Sequence, residues 1–334
     1  LAPAPQSHRA WNDLDANDRA VAVREMQVNA GMMEAADYHI GRLLDHLETT
    51  GQLENTIVMV LSDNGAESGQ TNLVGPADRA LDAIKLIEGF DTSFKNLGQR
   101  KSLTAVGPEW ASVLSAPFDL YKFYGSEGGL RVPMVIAGPG IASSRIAHAP
   151  VHVADLVPTM LDAAGVSFDP DQFYGRSAMP MLSGTSDTTY ADDESFAFEV
   201  SGNAALFRGK WKITRNTPPL GDAEWRLYDI SSDPGETTDL SAANPALFAD
   251  MIAEYYDYAE AVGVIDVGPD DYAIRALNRN LTAQSVRKYW FYGLGFVMVI
   301  AGSFFLAFKL GRRFLTPKSM LSASPSSDSA RRKP

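Results

Sequence analysis

Residues Tyr289 to Phe308 (YWFYGLGFVMVIAGSFFLAF) are twenty consecutive positions without a charge. A helix of that length spans roughly 30 Å, the thickness of a bilayer's hydrocarbon layer. A helix packed into a soluble core normally keeps a polar face, and this run has none. Tyr289, Trp290 and Tyr292 cluster at its start, where amphipathic rings favour the membrane interface. The run therefore reads as one membrane-spanning helix, 289–308, in a single-pass chain. Lys309, Arg312, Arg313, Lys318, Arg331, Arg332 and Lys333 follow it, opposed only by Asp328; Arg275, Arg279, Arg287 and Lys288 precede it. The excess after the run favours a cytoplasmic tail and a periplasmic or extracellular folded part. Residues 264–288 read as a linker, and 309–334, rich in Ser, Pro and Arg, as a basic disordered tail.

The remainder is long enough, in a chain of 334 residues that is 45% hydrophobic, for one large domain and a smaller one. A net charge of −12 argues against nucleic acid, whose phosphates need clustered Lys and Arg. The chain has no cysteine, which excludes disulfides, thiolate zinc sites and a cysteine nucleophile within it. No signal peptide is visible at Leu1, and a chain that starts mid-protein would have lost one.

Met26, Ala30, Met33, Ile40, Leu44 and Leu47 recur at three- and four-residue spacing, which predicts a helix over 20–50 stopped by Gly51. Asp37 falls within that stripe, where a buried carboxylate reads as a structural hydrogen-bond or salt-bridge partner. Thr56–Leu61 and Val132–Ala137 are continuous apolar runs, the pattern of strands buried on both faces of a parallel sheet. Residues 66–121 read as a long irregular insertion. Residues 153–165 read as a short helix with Pro158 near its first turn and Gly165 as its stop. The alternation implies an α/β fold, with a mainly parallel sheet sandwiched by helices, over 1–175. From about 176 the pattern changes to short strands at 196–200, 204–207, 211–214 and 226–230, followed by a helix from Pro245 to about Gly263. That predicts an antiparallel α+β subdomain over 176–263.

Two segments carry chemistry. Asp63 and Asn64 directly follow the first apolar strand, at the carboxyl end where α/β sheets bind ligands. Their side chains offer two hard oxygen donors for Ca²⁺ or Mg²⁺. Asp-Asn-Gly is equally good turn chemistry, and both readings stand on the dipeptide alone. Ca²⁺ takes six to eight oxygens, so other ligands must come from elsewhere. The second segment is Tyr121-Lys122-Phe123-Tyr124-Gly125-Ser126-Glu127-Gly128-Gly129-Leu130-Arg131-Val132-Pro133. Its paired glycines permit close backbone approach. Lys122 is placed to meet a sulfate or phosphate oxygen as a point charge, or to be a solvated surface lysine.

Taken together, these segments resemble the sulfatase family of the alkaline-phosphatase-like superfamily, bacterial arylsulfatases above all. The resemblance rests on Leu61-Ser62-Asp63-Asn64-Gly65-Ala66-Glu67, Gly107-Pro108-Glu109-Trp110-Ala111, Ala116-Pro117 with Leu120-Tyr121-Lys122, and Glu127-Gly128-Gly129-Leu130-Arg131-Val132-Pro133. It continues through Asp155-Leu156-Val157-Pro158-Thr159, Gly175-Arg176-Ser177, Lys210-Trp211-Lys212, Leu227-Tyr228-Asp229, Asp233-Pro234-Gly235-Glu236 and Asp239-Leu240, covering roughly residues 10–263. It implies calcium-dependent hydrolysis of aryl or alkyl sulfate esters. Asp63 and Asn64 would then be the second pair of metal ligands, and Lys122 the lysine on the substrate sulfate. Trp211 and Tyr228 would be packing residues, and His148 and His152 structural. The family's nucleophile is a formylglycine made in a Cys/Ser-x-Pro-x-Arg motif, and this chain has no such motif. Its first metal aspartates and upstream histidines are also absent. The expectation is a C-terminal portion lacking the N-terminal part of the fold, inactive alone, whose other half is lost by truncation or separately encoded. Two rival readings remain: a phosphodiesterase or phosphonate monoester hydrolase on the same fold, and a non-catalytic membrane-tethered partner.

Overall fold

The computed structural model describes residues 5, 8–69, 85–265 and 273–315. It divides into two units, Leu1–Ala273 and Ile274–Pro334.

Helix α1, Ala16–Thr49, is capped by the Asp15 side chain, which accepts from the Asp18 amide, and ends at Gly51 with φ +68°. Its first half is gripped by side-chain hydrogen bonds with distant segments. The Trp110 indole donates to the Ala22 carbonyl at 3.0 Å, and the Arg24 guanidinium donates to the Leu97 carbonyl. Along the predicted stripe Met33 is 66% exposed, while Ile40, Leu44 and Leu47 are half-buried. Asp37 is exposed as well, so it is not the buried partner its place in the stripe suggested. Spacing sets which side chains share a face, not whether a neighbour covers that face.

Strands β1, Val58–Leu61, and β2, Met134–Ala137, pair with each other in register Val58↔Ala137 to Leu61↔Met134. They run antiparallel, and among the described residues both sheets are antiparallel. The mainly parallel sheet expected for this part is therefore not what these strands form. Val135 is 67% exposed, so burial on both faces is not found either. An apolar run signals affinity for a core and carries no direction, which only the partner strand sets. The stretch expected to be irregular contains helix α2, Gly107–Ser115, with Pro108 in its first turn. Residues 70–84 of that stretch lie outside the described residues.

Helix α3, Glu127–Leu130, is a single turn leading into β2, and α4, Leu156–Ala163, follows a short 3-10 turn at Val153–Asp155. Helix α5, Met179–Leu182, packs Met181 and Leu182 against Ile136 and Ile141. Asp155 anchors this region and is fully buried. Its carboxylate accepts from the His152 amide at 2.7 Å, the Arg176 amide at 2.9 Å and the Tyr190 hydroxyl at 2.6 Å. His152 caps the same turn through Nδ1, which accepts from the Ala154 amide, and packs its ring among Phe196, Phe198 and Tyr174. Burial holds its pKa below the ordinary imidazole value, which suits a neutral, structural ring. Asp155→Ala removes the acceptor from two buried donors and one part-buried donor and is expected to cost about 2–3 kcal/mol in urea unfolding. A loss under about 1 kcal/mol would contradict this account of the anchor.

Strands β3 (Ser195–Val200), β4 (Asn203–Arg208), β5 (Trp211–Arg215) and β6 (Trp225–Asp229) form an antiparallel meander in chain order. Helix α6, Pro245–Val262, ends at Gly263 with φ +74°. It covers one face, where Ala204, Leu206, Ile213 and Leu227 meet Met251 and Tyr255. This is the expected antiparallel sheet with its covering helix, with Tyr228 buried and Trp211 packed on the rim of that core.

In the second unit, helix α7 runs from Ala273 to Leu315. The expected linker is therefore helical from Ala273, because its Ala, Arg, Leu and Gln content favours helix. Residues 316–334 of the expected tail lie outside the described residues. Val286–Lys309 within α7 is long and apolar enough to cross a membrane.

A candidate anion and metal site at two facing turns

Lys122 lies 58 positions beyond the adjacent pair Asp63 and Asn64, yet backbone hydrogen bonds bring the two turns together. The Gly65 amide donates to the Gly129 carbonyl at 3.0 Å, and the Lys122 amide donates to the Ala66 carbonyl at 3.2 Å. Upstream, the Ser62 amide donates to the Pro133 carbonyl, so the ladder of β1 and β2 runs directly into the contact. Gly65 and Gly128 are required by this approach: a side chain on Gly65 would run into the Gly128 carbonyl, and one on Gly128 into the carbonyls of Asp119 and Leu120. The double glycine thus permits the close approach its sequence suggested.

Asp63 is exposed and Asn64 half-buried, with the Ser62 hydroxyl donating to the Asn64 carbonyl. Among the described residues no three His, Cys, Asp or Glu side chains gather as a metal cluster. The Lys122 ammonium is 30% exposed and pairs with the Glu67 carboxylate at 2.8 Å, beside the Phe123 ring. Glu67 was quoted for its place in a motif but given no role; its spacing from Asp63 was the only signal.

The loop carrying Lys122 is held in an unusual conformation. Leu120 and Phe123, on either side of Lys122, have φ of +54° and +80°. Such backbone in non-glycine residues costs on the order of 1–3 kcal/mol each and persists only where neighbours enforce it. Tyr121 and Tyr124 pack edge to face and are both buried. Burial pushes each phenol up to about 12, so both stay protonated. The Tyr121 ring stacks on His8, whose Nε2 lies 3.2 Å from the phenol oxygen.

Beneath the loop lies a buried ionic triad. The Lys212 ammonium, fully buried, sits 2.9 Å from Glu127 Oε1 and 2.9 Å from Glu236 Oε1. Glu236 Oε2 accepts from the Glu127 amide at 2.7 Å. Arg131 approaches the other Glu127 oxygen at 3.5 Å. Burial pushes the Glu236 carboxyl up to about 7 against the pull of Lys212. For Lys212 burial acts the other way, but the two carboxylates outweigh it and hold the ammonium above its ordinary value. No sequence pattern announced this triad. Its members come from three quoted motif pieces, Glu127-Gly128-Gly129, Lys210-Trp211-Lys212 and Asp233-Pro234-Gly235-Glu236, whose convergence is visible only in three dimensions.

The arrangement can present two oxygen donors and one ammonium from a common pair of turns, backed by a rigid buried base. A family model described as sulfatase matches residues 3–166, and one described as N-sulphoglucosamine sulphohydrolase, C-terminal, matches residues 118–257. An uncharacterised sulfatase of Schizosaccharomyces pombe is 33% identical over 81% of this chain and 50% of its own length. An arylsulfatase of Klebsiella aerogenes is 31% identical over 54% of this chain and 38% of its own. The chain thus spans half or less of the length of these relatives. The crystal structure of Ps i-CgsB in complex with a neocarrahexaose superposes on 83% of this chain and 53% of its own, with TM-score 0.52 and 23% identity, which shows a shared fold. With the two models together matching residues 3–257, and a relative 33% identical over 81% of this chain, this chain belongs to the sulfatase family.

Proposed function

We propose that this chain is the C-terminal portion of a membrane-anchored, calcium-dependent sulfuric ester hydrolase of the arylsulfatase type. The observation that carries the reading is the pair of backbone hydrogen bonds, Gly65 to Gly129 and Lys122 to Ala66, that sets the Asp63-Asn64 turn against the lysine loop. The Asp63 carboxylate and Asn64 amide carbonyl suit one side of a hard cation such as Ca²⁺, with Mg²⁺ as the smaller rival. Two residues fall short of its coordination number, so the remaining ligands come from a preceding or separately encoded segment, as does the formylglycine nucleophile. When bound, the cation supplies charge stabilisation for the sulfate oxygens. Lys122 binds a sulfate oxygen and stabilises the departing anion, while the ester's alcohol or phenol leaves. The substrate is a small-molecule aryl or alkyl sulfate ester. Helix α7 anchors the protein, with the basic residues after Lys309 on the cytoplasmic side and the catalytic part outside.

The test joins this chain to the segment encoded upstream of Leu1 and assays 4-nitrophenyl sulfate and 4-nitrophenyl phosphate with and without EDTA. The expected result is sulfate release that EDTA abolishes and Ca²⁺ restores. Preference for the phosphate ester would replace this reading with a phosphodiesterase-type one. An upstream segment with no Cys- or Ser-x-Pro-x-Arg motif would replace it with a non-catalytic membrane partner.

A further inference from the structure

The lysine loop is closed on itself only in part, by the Tyr124 amide donating to the Tyr121 carbonyl and by the packing of those two rings. Leu120 and Phe123 sit at positive φ, and residues 122–126 contain a single glycine, Gly125, to ease the turn. Further groups that grip it come from the other part of the fold, at one end of strands β4 and β5. The Asn203 side-chain amide donates to the Phe123 carbonyl at 2.7 Å, directly after Lys122. Asn203 is itself locked, since its carbonyl accepts from the Thr217 amide at 2.7 Å and the Thr217 hydroxyl at 3.0 Å. It is 1% exposed. One strand over, the Asn216 carbonyl accepts from the Gly125 amide at 2.7 Å, and its amide donates to the Ser126 hydroxyl at 2.8 Å. Gly125 lies so close to β4 that a side chain there would strike the Ala204 carbonyl and the Thr214 hydroxyl. Ser126 passes the contact on, donating to Asp119, whose carbonyl accepts from the Gly128 amide. Gly128 is the residue against which Gly65, and so the Asp63-Asn64 turn, is packed.

We infer that Asn203 and Asn216 are positioning residues for the anion-binding lysine: the small antiparallel sheet acts as the template that sets where Lys122 stands relative to Asp63 and Asn64. The inference rests on the proposed role of Lys122. Neither asparagine needs to touch substrate. Each grips loop main chain, at Phe123 and Gly125, and Asn216 adds the buried Ser126 hydroxyl, so the loop's conformation is fixed whatever its solvent-facing side chains do. Both use the two ends of one amide, which an alanine cannot replace. The subdomain is thereby part of the active-site machinery and more than a cover for the core.

The test compares this chain with its Asn216→Ala and Asn203→Ala variants by amide hydrogen exchange read by mass spectrometry. Peptides spanning 119–131 are expected to exchange about tenfold faster or more in each variant, while β3 to β6 peptides keep their wild-type protection. Asn216 is the safer substitution because it is only part-buried, so the comparison stands even if Asn203→Ala fails to fold. In the protein joined to its upstream segment, Asn216→Ala is expected to lower kcat on 4-nitrophenyl sulfate by about a hundredfold with wild-type melting behaviour. Unchanged loop exchange in a folded Asn216→Ala variant would overturn the inference. So would faster loop exchange with kcat and KM both at wild-type values, which would leave the grip purely structural. A wild-type joined protein that hydrolyses no sulfate ester overturns the proposed activity instead, and the exchange arm still decides whether the asparagines hold the loop.

Discussion

Lys212→Met is expected to lower the stability of the folded unit by about 3–5 kcal/mol, because it leaves two buried carboxylates facing each other without their cation. Glu127 and Glu236 are 3% and 1% exposed, so neither can turn to water. Urea unfolding followed by far-UV circular dichroism measures the loss, and a change below about 1 kcal/mol would mean the triad is not the buried ionic unit described. The triple variant Lys212→Met, Glu127→Gln, Glu236→Gln should recover most of it, since a neutral group of similar shape avoids the desolvation of all three charges. The pH dependence has a definite sign. The Glu236 carboxyl titrates near 7 in the folded protein against an ordinary 4.5, so the folded state binds its proton more tightly than the unfolded state. Its contribution to stability is full below the unfolded value and declines as pH rises from about 4.5 to about 7. In Glu236→Gln that decline should vanish from the pH profile.

Lys122→Ala is expected to lower kcat on an aryl sulfate by about 10²–10³-fold in the protein joined to its upstream segment, the range found when one donor to a developing anion is removed. Stability should barely move. The Lys122–Glu67 pair is 30% and 48% exposed, and such pairs are worth about 1 kcal/mol or less. That separation is the discriminating result: a lysine acting only as a surface partner of Glu67 would leave both kcat and the melting temperature unchanged. Retained turnover in Lys122→Ala would remove Lys122 from the mechanism.

Legibility in the sequence followed the range of the interactions. The four-stranded meander and α6 were readable almost residue by residue, because alternation, turn residues and the Gly263 stop are local. The candidate site was readable as types and spacing, since Asp63, Asn64 and Lys122 each follow a recognisable segment, and backbone hydrogen bonds set their two turns side by side. The direction of β1 against β2 was not readable, because the pairing is set by residues some seventy positions away. Asp155 and Lys212 were invisible for a related reason. A buried charge is recognised by its partners, and the partners of Asp155 are two main-chain amides and a tyrosine that only the fold assembles. Met33 and Asp37 of α1 are exposed because periodicity reports a face and not its cover.

The chain order of the meander has a kinetic consequence. Strands β3 to β6 pair only with their sequence neighbours across short turns, so the entropy lost in closing each loop is small. Pairing β1 with β2 instead encloses everything from Leu61 to Met134, a far longer excursion. The meander is therefore expected to form first. Its early surface already carries Asn203, Lys212 and Asn216, so the later-arriving turns would condense onto a finished mould rather than onto each other. A folding defect in the meander would then delay the assembly of the site as well as the subdomain itself.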